Sequence, residues 1–206
     1  MPQVLKPEIR ARILSAALEV FAAQGYLGAT MYAIAEQAGL GAASLYRYFP
    51  SKAELFEAAI PPELAARFER LLQQRVRALA ERPATTRFDP GGEYGSEMLQ
   101  FWLEHRLAVV VLLDRAQGSA YEHYGERFVS ILLDRTLQQI RKAGPNVRIT
   151  PAARLVLARI FESTRTTLAS ILAHSDQPQV IREAIEAFWS YQIPGLHGFA
   201  RWVCRV

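Results

Sequence analysis

Residues 30–52 read TMYAIAEQAGLGAASLYRYFPSK. Two short segments flank Ala38-Gly39-Leu40-Gly41, the glycine-containing turn expected between the helices of a helix-turn-helix. Thr30 is placed to cap the first segment, which runs to Ala38 and closes at Gly39. The second spans roughly Ala42 to Phe49 and stops at Pro50, whose ring lacks an amide donor and biases Phe49 away from helical angles. Ile34 and Ala35 can pack on Leu45 across the turn, and the small residues let the helices approach closely. Two such helices cannot bury a core of their own, so a third must support them.

Upstream, Pro7 to Gln24 forms that support. Ile9, Ile13, Ala16, Ala17, Val20 and Phe21 make an apolar stripe, and Gly25 is a suitable stop. Downstream, Ser51-Lys52-Ala53-Glu54 is a capping box that opens a fourth helix. Pro61-Pro62 should kink or break it before a charged run to about Glu81. Residues 83–95, with two prolines and three glycines, read as one long loop. A helix from about Ser96 to Gln117 follows, broken by Gly118-Ser119. Ser119 with Glu122 suggests a capping box for a helix ending near Gly144. Thr150-Pro151 starts another to about His174. Asp176 with Gln179 suggests the cap of a last helix to about Val203, with a kink at Pro194. No alternating strand pattern is visible. The chain reads as all-α with about nine helices: a helix-turn-helix DNA-binding domain over 1–52, and a helical ligand-sensing and dimerisation bundle over 53–206.

In such a unit the second short helix lies in the major groove, here presenting Ala42, Ala43, Ser44, Tyr46 and Arg47. Arg47 can reach a guanine edge with two hydrogen bonds, or a phosphate as a cation. Tyr46 offers a ring for thymine methyls and a hydroxyl for phosphate. Lys52 with the first amides of the fourth helix, and the Thr30 end of the second, form anion sites, although Lys52 could also be a solvated first-turn charge. Tyr48 and Phe49 read as core. The net charge of +4 fits DNA without demanding it, and residues 1–52 hold five basic against three acidic side chains.

Gly25–Ala38 (GYLGATMYAIAEQA) followed by AGLGAASLYRYFPSKAELF resembles the DNA-binding domain of the tetracycline-repressor (TetR/AcrR) family, over roughly residues 9–57. The ordered elements Phe21, Gly25, Thr30, Ile34, Ala35, Ala38-Gly39, Leu45-Tyr46, Tyr48-Phe49, Ser51-Lys52 and Leu55-Phe56 carry the resemblance. It implies that Thr30, Tyr32, Ser44, Tyr46, Arg47 and Lys52 meet DNA. It further implies a repressor-like homodimer, joined through its last two helices, on a near-palindromic operator of double-stranded DNA. A small molecule bound in the C-terminal body would release that operator. One departure stands out: Gly41 occupies the usual serine or threonine cap of the recognition helix, and Ala42 and Ala43 follow it. A glycine cap costs only a few tenths of a kcal/mol, so the fold survives and the readout is lean.

The last two helices are apolar on more than one side, which asks for burial against both their own subunit and a partner. Polar groups among apolar ones suggest an effector pocket: Phe101, Trp102, His105 and Arg106 on one helix, Tyr124 on the next, Phe161 and Arg165 on the one before last. An inward Arg106 or Arg165 would favour an acidic or carbonyl-bearing effector. Alternatively Arg106 pairs with Glu104 or Asp114, and the aromatics only fill the core.

The remaining features exclude other classes. One cysteine, Cys204, rules out a disulfide framework, and a reducing, cytoplasmic setting is the default. The N-terminus lacks the apolar stretch of a secretory signal. Leu107 to Leu113 is too short to cross a membrane and reads as a buried helix segment. Four scattered histidines, with no metal-ligand spacing, phosphate-cradling loop or nucleophile motif, argue against an enzyme, a metal site or a cofactor.

Overall fold

The computed structural model describes residues 6–81, 93–142 and 148–204, all helix, turn and connection. Ten α-helices run in order: α1 Pro7–Gly28, α2 Met31–Gln37, α3 Ala42–Tyr48, α4 Lys52–Ala59, α5 Pro62–Glu81, α6 Glu93–Glu104, α7 Arg106–Val110, α8 Tyr124–Lys142, α9 Pro151–His174 and α10 Pro178–Val203. A π-helical turn, Val111–Arg115, continues α7.

The N-terminal helices form where local signals place them. Thr30 Oγ1 accepts from the amide of Ala33 at 3.1 Å, and Ser51 Oγ accepts from that of Glu54 at 3.1 Å. Both satisfy amide donors that a helix start leaves free. Gly25, with φ of 73°, kinks α1 as expected of a stop, but one further turn follows it before Ala29. Pro61-Pro62 separates α4 from α5, with Pro62 at the first helical position.

The body departs from the sequence reading in four places. The long loop falls mostly on 82–92, outside the described residues, and Glu93 to Gly95 already belong to α6. The expected Ser96–Gln117 helix is interrupted at His105, whose backbone (φ −118°, ψ 30°) is not helical, and then winds into the π-turn. Ser119 caps no helix. Its hydroxyl accepts from the Tyr121 amide at 3.0 Å, turns fill the stretch to His123, and α8 starts only at Tyr124. Its proposed end near Gly144 lies outside the described residues. The last helix starts after Gln177, without a side-chain cap from Asp176, and runs through Pro194 as one segment.

One core ties these helices together. Ile13, Phe21, Ile34, Leu45, Leu55, Phe68, Phe101, Leu112, Leu157 and Leu168 are each at most 1% exposed. Truncating such a side chain to alanine typically costs ~2–5 kcal/mol. Of the apolar stretch Leu107 to Leu113, Leu107 is half-buried and the other six residues are buried. A buried polar pair joins the last two helices: Gln192 Nε2 donates to Thr164 Oγ1 at 2.9 Å, and Thr164 donates to the Ile160 carbonyl. Each partner satisfies the other in a setting where an unpaired amide would be costly.

Candidate nucleic-acid interface

The turn between α2 and α3 is set by backbone hydrogen bonds that only a left-handed residue permits. Gly39, with φ of 64°, lets its amide reach the Glu36 carbonyl at 3.0 Å, and lets the Leu40 amide reach that of Ala35 at 2.9 Å. This pair of bonds closes the free carbonyls of α2 and fixes the angle at which the chain leaves it. Gly41 then starts α3 without a side-chain cap, its carbonyl accepting from Ser44 and Leu45.

Within α3, Leu45 is fully buried and seats the helix on the core beside Ile34 and Ala35. The neighbouring positions point away from that core. Tyr46 is 50% exposed, Ala43 and Arg47 are exposed, and Ala42 and Ser44 are half-buried. Arg47 Nη2 donates to Ser44 Oγ at 3.1 Å, which holds the guanidinium along the helix surface. On α2, Tyr32 is 71% exposed. Exposed side chains on both helices, Tyr32 on α2 and Tyr46 and Arg47 on α3, thus flank a core that holds the helices in place.

Tyr48 and Phe49 serve packing, as their sequence positions suggested. Phe49 is buried with the Arg10 guanidinium 5.3 Å from its ring centroid, and the Tyr48 hydroxyl accepts from the Lys6 amide. Lys52 occupies a place no sequence pattern signalled. Its ammonium donates to the carbonyls of Tyr26 at 2.7 Å and Ala29 at 2.9 Å, and sits 4.5 Å from the Tyr26 ring centroid. Those carbonyls lie in and just after the extra turn behind Gly25, where the helix dipole favours a cation. Two of three ammonium donors are thus engaged.

The seven body residues fall into three settings. Phe101 and Tyr124 flank Phe68 in a buried aromatic stack, at 5.5 and 5.8 Å between centroids. The Tyr124 hydroxyl donates to the Ala65 carbonyl at 2.9 Å, and burial pushes its acidity well below that of a free tyrosine. His105 rests on the Phe101 ring at 4.8 Å. Burial and, to a lesser extent, Arg67 push its pKa down, against the pull of Glu104. The His105 Nε2 lies 4.0 Å from the adjacent Glu104 carboxylate. Trp102 is 4% exposed, and its indole Nε1 has no hydrogen-bond partner. Phe161 is buried in the same core.

The two arginines have protein partners. Arg106 donates to the Leu172 carbonyl at 2.8 Å, and to neither Glu104 nor Asp114. Arg165 holds the π-turn, donating to the Leu113 carbonyl, to Asp114 at 3.0 Å and to Glu162 at 2.6 Å. Burial disfavours its charge, but the bonds to Glu162 and Asp114 outweigh that and raise its pKa. Gly125 makes this junction possible: a Cβ there would stand 2.6 Å from the Leu113 carbonyl oxygen and 3.1 Å from Arg165 Cδ. Among the described residues no group of three His, Cys, Asp or Glu side chains could hold a metal ion, and no helix is long and apolar enough to cross a membrane.

Residues 13–59 match the family described as bacterial regulatory proteins, tetR family. The HTH-type transcriptional repressor KstR of Mycolicibacterium smegmatis is 42% identical over 71 residues, 34% of this chain and 33% of that protein. The nucleoid occlusion factor SlmA of a Marinomonas species is 25% identical over 183 residues, 87% of this chain and 74% of that protein. The chain thus aligns with about a third of the length of the KstR repressors it matches. A TetR family transcriptional regulator from Chloroflexus aurantiacus shares the fold with a TM-score of 0.52 at 18% identity, over 98% of this chain and 94% of that one.

Proposed function

We propose, from the match of residues 13–59 to the family described as bacterial regulatory proteins, tetR family, that the chain is a sequence-specific transcriptional repressor released from its operator by a small molecule. The observation that carries the reading is the outward face of α3, where exposed Tyr46 and Arg47 stand beside Ser44 on a helix anchored by fully buried Leu45. In the major groove, Tyr46 and Arg47 read bases while Ala42, Ala43 and Ser44 allow close approach. Thr30, Tyr32 and the remaining donor of Lys52 meet phosphates, which set register rather than sequence.

Two copies act on a near-palindromic site through α9 and α10, with half-sites ~34–36 Å or a multiple apart. In support, Leu155 and Val156 of α9 and Val180, Tyr191 and Trp202 of α10 are exposed large apolar or aromatic side chains. The effector enters the body near Phe101, Trp102, His105, Tyr124 and Phe161. The unpartnered Trp102 Nε1 supports an effector bearing a hydrogen-bond acceptor. Arg106 and Arg165 shape that region, each being engaged by protein groups.

The test is a mobility shift with DNA from upstream of the chain's own gene, in excess non-specific competitor. Wild-type protein retards that DNA selectively. Tyr46→Ala with Arg47→Ala abolishes the selectivity at unchanged helicity, and undiminished selective binding by the double variant refutes the assignment of readout to α3.

A further inference from the structure

A groove of about 530 Å³ opens between α5, α8 and α9, lined by no residue of α2 or α3 and by none of Phe101, Trp102, His105, Tyr124 and Phe161. Along α8, Ile131, Asp134, Arg135, Gln138 and Arg141 recur at helical spacing and so share one face. Arg154, in the first turn of α9, lines the groove from another wall.

Arg135, Arg141 and Arg154 are exposed, and none has a hydrogen-bond or ion-pair partner among the described residues. The one carboxylate in the lining, Asp134, accepts from Ser130 Oγ at 3.4 Å and from none of the arginines. Three guanidinium groups thus face one opening against a single negative charge. Like charges gathered in this way repel one another and bring the fold no compensating contact. Planar guanidinium forks match the oxygens of phosphate bidentately. The volume lies within the ~300–1,000 Å³ usual for small-molecule sites, well beyond what one inorganic anion fills. Buried Leu137 and half-buried Ile131 add an apolar surface to the lining.

We propose that this groove binds a small organic molecule carrying two or more phosphate groups. The arginines hold the phosphates, and the organic part lies against Ile131 and Leu137. The proposal stands on this groove alone and does not require that the chain be a repressor.

Titration calorimetry on the whole chain, without divalent metal, tests it with ATP as probe and with AMP and pyrophosphate as comparators. ATP is expected to bind with a Kd below about 1 mM, more tightly than either comparator. Arg135→Gln and Arg154→Gln should each weaken it about tenfold, the value of one lost charge-assisted contact, at unchanged thermal stability. Arg47→Gln, on α3 and outside the groove lining, should leave ATP binding unchanged. Absence of ATP binding, equal affinity in the groove variants, or a loss confined to Arg47→Gln overturns the proposal. Pyrophosphate binding as tightly as ATP overturns an organic ligand.

Discussion

Replacing Lys52 by methionine keeps the aliphatic stem over Tyr26 and removes only the ammonium. In the folded chain that group donates to two carbonyls, Tyr26 at 2.7 Å and Ala29 at 2.9 Å, and lies 4.5 Å from the Tyr26 ring centroid. A hydrogen bond involving a charged group contributes ~1.5–3 kcal/mol net, and a partly exposed cation–π contact ~0.5–1 kcal/mol. Lys52 is half-buried, so the low end applies, and the recovered hydration of a charged side chain is no longer lost on folding. The expected destabilisation is about 3 kcal/mol. For a chain of this length that is a fall in Tm of roughly 6–12 °C, at about 2–4 °C per kcal/mol. Urea denaturation followed by far-ultraviolet circular dichroism measures it directly. In parallel, the slope of log K against log salt for operator DNA should shrink by no more than about 0.9, the value of one phosphate contact. A stability loss below about 0.5 kcal/mol would refute the fastening role, because exposed charges removed without consequence fall in that range.

Two further perturbations probe the body. Gly125→Ala puts a methyl against the Leu113 carbonyl and Arg165, so the junction must open; a loss of ~1–3 kcal/mol is expected, and an unchanged denaturation midpoint contradicts the crowding. His105 has a pKa lowered from its ordinary 6.5, so below that pH the unfolded chain binds more protons and stability falls with acid. His105→Gln should flatten the fall between about pH 7 and 5, and an equal fall in the variant removes His105 as its source.

Features written in neighbouring residues were legible in the sequence. Thr30, Ser51 and Thr150 each accept an amide three residues on, because a cap needs only a hydroxyl at a helix start. Gly39 and Gly25 adopt the left-handed angles that their positions in the pattern implied. Ser119 and Glu122 have the spacing of a cap, yet turns follow them, since Ser119 bonds the nearer Tyr121 amide and the Ala116 carbonyl instead. The break at His105 and the π-turn after it had no local signal. They accompany a carbonyl, that of Leu113, which Arg165 reaches from 52 positions away in the chain. Lys52 was visible as a basic first-turn residue, but its partners at Tyr26 and Ala29 exist only once α4 packs on α1. The candidate DNA-contact residues were named from the sequence, and the fold adds that Tyr32, Ala43, Tyr46 and Arg47 are exposed.

Readout of DNA by two copies of α3 through Tyr46 and Arg47 would leave a two-fold pattern in the bound sequence. Selection of binding sequences from a random double-stranded pool tests it most directly. Enrichment of an inverted repeat is expected, with half-site centres ~10–10.5 base pairs or a multiple apart. No sequence should be enriched when the selection is repeated with Tyr46→Ala and Arg47→Ala. Enrichment of the same repeat by the double variant, or of no sequence by the wild-type chain, would contradict it.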